Sequence, residues 1–194
     1  MNHLWTILAV KALDEAKARL APAVDPAGRR DIAHRLVVRT FEVVSAARLE
    51  AVAVVTNDSL VAALAAGHGF AILADPGGGQ SGAVAEGARW ARDHGAEAVA
   101  TVATDLPLLG SAEVRSLVGL AAPRRLVIAP DRAGQGTNAI VVAPPDFPFA
   151  FGPGSLRRHL DSAADLGLEV VFARAAGLAT DLDYPDDVGL LDPR

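Results

Sequence analysis

The residues best suited to chemistry in this chain are carboxylates and cations set beside apolar runs. Asp105 follows the run Ala98 to Ala103 and precedes Pro107, so a carboxylate stands where a buried strand ends and the chain turns. Turn chemistry alone accounts for an Asp there. In an open α/β sheet, however, ligands bind at the carboxyl ends of the strands, and Asp105 could reach into that crevice. Four more carboxylates lie in ATDLDYPDDV, where Asp186 and Asp187 behind Pro185 fit a helix start and Asp181 and Asp183 are left over. They fit a solvated turn, or either could complete a magnesium site with Asp105, because that ion is held by one or two carboxylates plus substrate phosphates.

Lys11, Lys17 and Arg19, in VKALDEAKARL, come directly after the first apolar run. On a solvated helix Glu15 would pair with Arg19 four residues on; overhanging a strand's carboxyl end, the three cations suit a phosphate. A second anion site is offered by FGPGSLRRHL. Gly152 and Gly154 free the backbone, Ser155 can cap a helix, and first-turn N–H groups bind anions. Arg157 and Arg158 in that turn oppose the helix dipole by ~0.3–1 kcal/mol each, a penalty that a bound anion would reverse.

Other templates fit less well. Gly77, Gly79 and Gly82 in DPGGGQSG satisfy the dinucleotide pattern G-x-G-x-x-G, with Glu97 downstream for a ribose. The match follows the third strand instead of the first, Asp75 and Pro76 intervene, and adjacent glycines make chance matches easy. A flexible loop near a ligand is the plainer reading. There is no G-K-[ST] after a glycine-rich loop, and GPGSL is not the G-x-S-x-G elbow. The 5 histidines lack paired ligand spacing, which argues against zinc. With 0 cysteines, disulfides, thiolate metal sites and a Cys nucleophile are excluded, and a reducing cytoplasm suits the chain.

The elements that must position these groups alternate. Apolar runs at Leu4 to Val10, Ala51 to Thr56, Phe70 to Leu73 and Ala98 to Thr104 are separated by helical patterns, the sign of parallel strands with crossover helices. Asp25 and Pro26 open a long helix; Asp58 and Ser59 lead into Leu60 to Ala66; further helices are expected over Ala83 to His94, after a Ser111 cap, and over Ser155 to Gly167. Leu126 to Ala129 and Ala139 to Ala143 are joined by a loop too short for a helix, so they pair antiparallel or indirectly, and Glu169 to Ala173 closes a mixed sheet. The 194 residues suit one α/β domain spanning 1–194. A net charge of −5 argues against a nucleic-acid partner, and no apolar stretch approaches the ~18 residues of a membrane span. The first ten residues lack the basic region and cleavage site of a signal peptide, so a cytoplasmic location is expected.

With these pieces in order, the chain resembles the 2-phospho-L-lactate / phosphoenolpyruvate guanylyltransferases of coenzyme F-420 biosynthesis, among the MobA-like nucleotidyltransferases. The likeness runs almost end to end through VKALDEAKARLAP, TDLPLL, PDRAGQGTNAIVV, FGPGSLRRHL and LATDLDYPDDV. It implies a single-domain, three-layer α/β/α nucleotidyltransferase fold (Rossmann-like, of the GT-A/MobA type) with a mixed, mostly parallel sheet. It also implies a reaction that couples GTP to a phosphorylated three-carbon acid, phosphoenolpyruvate or 2-phospho-L-lactate, and releases pyrophosphate.

Carried over residue by residue, the resemblance gives Asp105 and Lys17 the catalytic roles, with Mg2+ on Asp105 and Asp183. Lys11, Lys17 and Arg19 would meet the triphosphate, with Gly79 and Ser81 also at the nucleotide. Thr137, Gly152 and Ser155 would hold the acid, and His159 lies on the helix behind that site. Where the family pattern leads one to expect Gly-Leu-Asn, this chain has Gly79, Gln80, Ser81 and Gly82, a departure that bears on base choice. No nucleic acid or membrane partner is implied, and a homodimer stays open. The rival readings are a nucleotidyltransferase with another acceptor or base, a Rossmann-type redox enzyme on Gly77, Gly79 and Gly82, and a nucleotide-binding module without turnover.

Overall fold

Seven strands form one sheet: β1 (Leu4–Ala9), β2 (Ala51–Val55), β3 (Ala71–Leu73), β4 (Ala98–Val102), β5 (Arg125–Pro130), β6 (Thr137–Ala143) and β7 (Glu169–Phe172). The structure is a computed structural model and describes residues 3–191. The strand order is β3-β2-β1-β4-β6-β5-β7. Every pairing is parallel except those of β6, which runs antiparallel to both β4 and β5. The sheet is therefore mixed and mostly parallel, and β4 lies at its centre.

Alternation along the strands divides the core into two layers. Leu8, Val54, Ala100, Val102 and Val141 point to one face, which is covered by α1 (Pro26–Ala47), α2 (Ser59–Gly67) and α4 (Ser111–Gly119). Ile7, Val55, Val99, Ile128 and Ile140 point to the other, covered by α3 (Gly79–Asp93) and α5 (Ser155–Asp165). A short helix, α6 (Ala176–Ala179), contributes Leu178 to the first layer. Helix α3 comes very near β1 because Gly87 has no side chain: a Cβ there would lie 2.4 Å from Ile7 Cγ2. No helix among the described residues is long and apolar enough to cross a membrane.

Local differences from the sequence reading have plain causes. Asp25 caps α1 as expected, accepting from the backbone N–H of Gly28, and Asp58, expected in a polar turn, caps α2 by accepting from Leu60 and Val61. Ser111 and Ser155 do not cap: each falls inside its helix, and Gly110 and Gly154 take the cap positions. At α4 the orphan N–H of Gly110 donates instead to Glu113 Oε2 at 2.9 Å. Helix α3 starts at Gly79, four residues before the expected Ala83, because the glycines belong to its first turn. A Cβ on Gly82 would lie 2.2 Å from the Gly77 carbonyl oxygen, so that loop folds tightly back on the helix it opens.

The segment after β1 is not a helix. It makes two 3-10 turns, Leu13–Glu15 and Ala18–Leu20, joined by Lys17 at φ +55°, in the left-handed region. Glu15 is therefore not the partner of Arg19, whose guanidinium pairs with Asp183. The dinucleotide reading also loses its support, since the Glu97 N–H donates to His3 O at the amino ends of β1 and β4.

Candidate active site

A cleft of about 860 Å3 opens along one rim of the sheet. That rim holds the carboxyl ends of β1 and β4, followed by Val10, Lys11 and Thr104, Asp105. Because β6 is reversed, its amino end reaches the same rim and brings Thr137 and Asn138 into the cleft. One antiparallel strand thus adds a second wall to the crevice of a parallel sheet.

Lys17 organises the first wall. Its Nζ donates to Asp105 Oδ2 at 2.7 Å and to the Leu182 carbonyl at 2.7 Å, and lies 3.5 Å from Asp183 Oδ1. Its side chain is only 8% exposed, against 31% for Asp105, so the ammonium is almost surrounded by acceptors. The unusual φ at Lys17 is thereby explained: it turns the chain so that the ammonium meets Asp105. Leu182 locks the arrangement, because its N–H donates to Asp105 O at 3.0 Å. Lys11 and Arg19 also line the cleft, and among the described residues Lys11 has no ion-pair partner.

The acidic tail divides into a latch and a free group. Asp187 is buried and accepts from Arg132 Nη2 at 2.6 Å, Tyr184 N at 2.8 Å and Asp183 N at 3.1 Å. Burial acts to raise its pKa, but Arg132 and the two N–H donors hold the carboxyl below its usual range. It is a structural latch, as a turn-starting aspartate should be. Asp181 is the reverse case: half-buried, it has a raised pKa, first from desolvation and then from the neighbouring carboxylates Asp105, Asp183 and Asp131. A carboxylate in that setting favours a cation.

The second wall is built on the loop between β5 and β6. Asp131 closes that loop, accepting from Gln135 N and Gly136 N at 2.9 Å each. A Cβ on Gly136 would lie 2.6 Å from Asp131 Oδ2, so this closure needs a glycine. Gln135 O then accepts from the Leu156 N–H at 3.1 Å, tying the loop to the first turn of α5. Gly152 (φ +101°) and Gly154 (φ +72°) bring the chain into that turn, and buried Ser155 lines the cleft with them and Thr137. No side chain caps α5; instead Ser155 N donates to Gly152 O at 3.0 Å and Leu156 N to Gln135 O, so backbone carbonyls occupy the first donors of the helix and leave the Arg157 N–H without a backbone partner among the described residues.

Several expected site residues stand elsewhere. Ser81 does not line the cleft: its Oγ accepts from Phe151 N at 2.8 Å and braces the loop, whereas Gly79 and Gln80 do line it. Arg157 pairs with Asp161, and Arg158 donates to the carbonyls of Ala150, Phe151 and Pro153. Neither is a cleft residue, and the dipole penalty foreseen for them is offset by these local acceptors without an anion. Sequence reasoning missed Asp131, although its spacing to Gln135 and Gly136 is that of an Asp-closed turn. It also missed the Leu182 carbonyl, which no residue type announces.

His159 is fully buried beneath this wall, 3.1 Å from Thr137 Oγ1 through Nδ1, while its Nε2 accepts from Ala150 N at 2.9 Å. Burial, and secondarily the Arg158 charge, lowers its pKa from 6.5 to about 4. It is neutral at physiological pH.

A family model described as guanylyl transferase CofC like matches residues 4–191. A phosphoenolpyruvate guanylyltransferase of Rubrobacter xylanophilus is 37% identical over 191 residues, covering 97% of this chain and 93% of its own. Among solved structures, a nucleotidyl transferase from Methanothermobacter superposes with TM-score 0.70 at 18% identity, covering 96% of this chain and 94% of that one. A glucosyl-3-phosphoglycerate synthase from Mycobacterium tuberculosis, in complex with Mn2+, uridine diphosphate and phosphoglyceric acid, does so with TM-score 0.59 at 15% identity, covering 97% and 74%. These two show a shared nucleotidyltransferase-like fold, and the near full-length matches show kinship: the chain belongs to the CofC-like guanylyl transferases and is a nucleotidyltransferase.

Proposed function

We propose that the enzyme joins GMP from GTP to phosphoenolpyruvate, releasing pyrophosphate, and so makes an activated three-carbon unit for coenzyme F-420 biosynthesis. One observation carries the reading: Lys11, Lys17 and Arg19 share a single cleft with Thr137, Gly152 and Ser155. Two anion-binding regions on one cleft suit two strongly negative substrates that must react with each other. The name of the 37% identical relative supports phosphoenolpyruvate over 2-phospho-L-lactate.

The nucleophile is a phosphate oxygen of the acid, ionised at neutral pH, so no side chain needs activating. Its attack forms a new P–O bond at the α-phosphorus of GTP as the bond to the β-phosphate bridge breaks, and the electron pair leaves with pyrophosphate. No proton moves. The obstacle is repulsion, ~4 kcal/mol for two unit charges 4 Å apart at an effective dielectric of 20. Lys11, Lys17 and Arg19 counter it at the triphosphate, while Thr137, Gly152 and Ser155 orient the acid. Gly79 and Gln80 approach the nucleotide as backbone and amide donors; in this reading Ser81 acts indirectly, through the loop at Phe151.

The donor set fits a divalent cation. No group of three or more acidic or imidazole side chains converges to hold a metal by itself among the described residues. Mg2+ needs only one or two carboxylates plus substrate phosphates. Asp105 and Asp181 are the carboxylates we assign to it: Asp183 has both oxygens engaged, one by Arg19 and one by Lys17, whereas Asp105 meets Lys17 through Oδ2 alone and Asp181 has no ion-pair partner among the described residues. When bound, the ion supplies charge neutralisation between the two substrates. A panel of GTP, ATP and CTP with each acid and Mg2+, read by pyrophosphate release and product mass, tests the reading. A guanosine diphosphate-linked enolpyruvate is the expected product; preference for another base or for a sugar phosphate overturns it.

A further inference from the structure

Buried polar side chains are held where both ends are satisfied, and His159 satisfies its ends in a way that fixes a proton. The Ala150 backbone N–H can only donate, so Nε2, at 2.9 Å, must be the bare nitrogen of the ring. A neutral imidazole with bare Nε2 carries its hydrogen on Nδ1, and that nitrogen faces Thr137 Oγ1 at 3.1 Å. Nδ1–H therefore donates and Oγ1 accepts. An accepting hydroxyl still has its own hydrogen to place, and no second protein partner for Oγ1 exists among the described residues.

Thr137 lines the cleft while His159 does not; the imidazole sits wholly buried against the rings of Phe147 and Phe151, at 5.9 and 4.9 Å between centroids. The nearest charged group on its own helix, Arg158, is turned onto the carbonyls of the 150–153 loop. Among the described residues the charge that bears on the ring is the Arg158 cation, which disfavours a second proton.

We infer that His159 is a positioning residue for the acid substrate: its Nδ1–H occupies the lone pair of Thr137 Oγ1 and commits the threonine hydroxyl to donate into the cleft. Through Nε2 the same ring is anchored to the Ala150 backbone N–H, which fixes its tautomer; the effect on the acid runs through Nδ1 and Thr137 alone. The role rests on the proposed function for the identity of the ligand, phosphoenolpyruvate, but the tautomer does not.

Two measurements test it. In the intact protein with 15N-labelled histidine, two-bond proton–nitrogen correlations are expected to show His159 protonated at Nδ1 and bare at Nε2; the opposite tautomer overturns the inference. Variants then separate the two nitrogens. His159→Asn keeps a donor near Nδ1, and His159→Gln keeps only an acceptor near Nε2. We expect His159→Gln and Thr137→Val each to weaken phosphoenolpyruvate binding by about tenfold in calorimetry and in KM, with the KM for GTP unchanged within about twofold. The double variant is expected to lose little more than either alone, since both remove one interaction. His159→Asn is expected to stay within about threefold of the parent. Equal losses in His159→Asn and His159→Gln, or fully additive losses in the double variant, overturn it. Should a variant fail to fold, the tautomer of the unaltered protein still decides. Binding of the acid without guanylylated product would instead reject the proposed function.

Discussion

Lys17 and Asp105, 88 residues apart in sequence, meet at 2.7 Å beneath the cleft, and the Leu182 carbonyl completes the ammonium's shell. The pair is partly enclosed, so losing one member leaves the other short of a partner. Lys17→Met should destabilise the protein by about 1–3 kcal/mol in urea unfolding and reduce turnover at least about 100-fold. Asp105→Asn keeps an acceptor for Lys17 and should shift stability by less than about 1 kcal/mol, yet lower pyrophosphate release by about 100-fold or more. Near-normal turnover in the asparagine variant would remove Asp105 from the chemistry.

Asp181 is half-buried and feels the charges of Asp105, Asp183 and Asp131, so its charged form is disfavoured without a cation. Asp181→Asn should therefore raise the unfolding midpoint in chelator while weakening the stabilisation conferred by Mg2+ by at least about tenfold in half-saturating concentration. Thermal melts with and without the ion measure both. An unchanged Mg2+ response would place the cation elsewhere.

Ser155 is buried and faces the cleft beside Gly152. Ser155→Ala should raise the KM for phosphoenolpyruvate by about tenfold and that for GTP by less than about twofold, because one hydrogen bond to a charged group is lost. Initial rates with each substrate varied in turn separate the two. Equal effects on both substrates would contradict the assignment of Ser155 to the acid.

His159 links stability to pH. Its pKa is lowered from 6.5 to about 4 in the folded protein, so the unfolded chain takes up a proton first as pH falls. The contribution is complete above pH 6.5 and is lost progressively down to about 4, amounting to up to about 3 kcal/mol. In His159→Phe that component of the pH dependence should disappear. Urea midpoints of both proteins between pH 7 and pH 4 provide the comparison; parallel curves would show that the ring already titrates with solvent.

The strands were legible because each is a short apolar run between helical patterns, and the three layers came with the family resemblance; which residue faces which layer, Ile7 opposite Leu8 and Val55 opposite Val54, is seen in the structure. The reversed β6 was also readable, since the six residues between Pro130 and Thr137 leave no room for a crossover helix. The site was legible as a set of residues, not as a set of partners. Lys17 reads as a phosphate ligand from its place after β1, but its bond to Asp105 depends on a left-handed turn that no glycine or asparagine signals. Ser111 and Ser155 mislead because a serine at a helix start looks the same whether it caps or follows a glycine. Arg157 and Arg158 mislead likewise, their acceptors being supplied by a helical neighbour and by backbone carbonyls of the preceding loop.

The reversal of β6 has a mechanical consequence. The two walls of the cleft are stitched together through the ladder that pairs Val102 with Ala139 and ends where Ala103 N donates to Asn138 O at 2.7 Å. The enzyme cannot shut by swinging one half of the molecule towards the other, for the hinge would have to break the middle of the sheet.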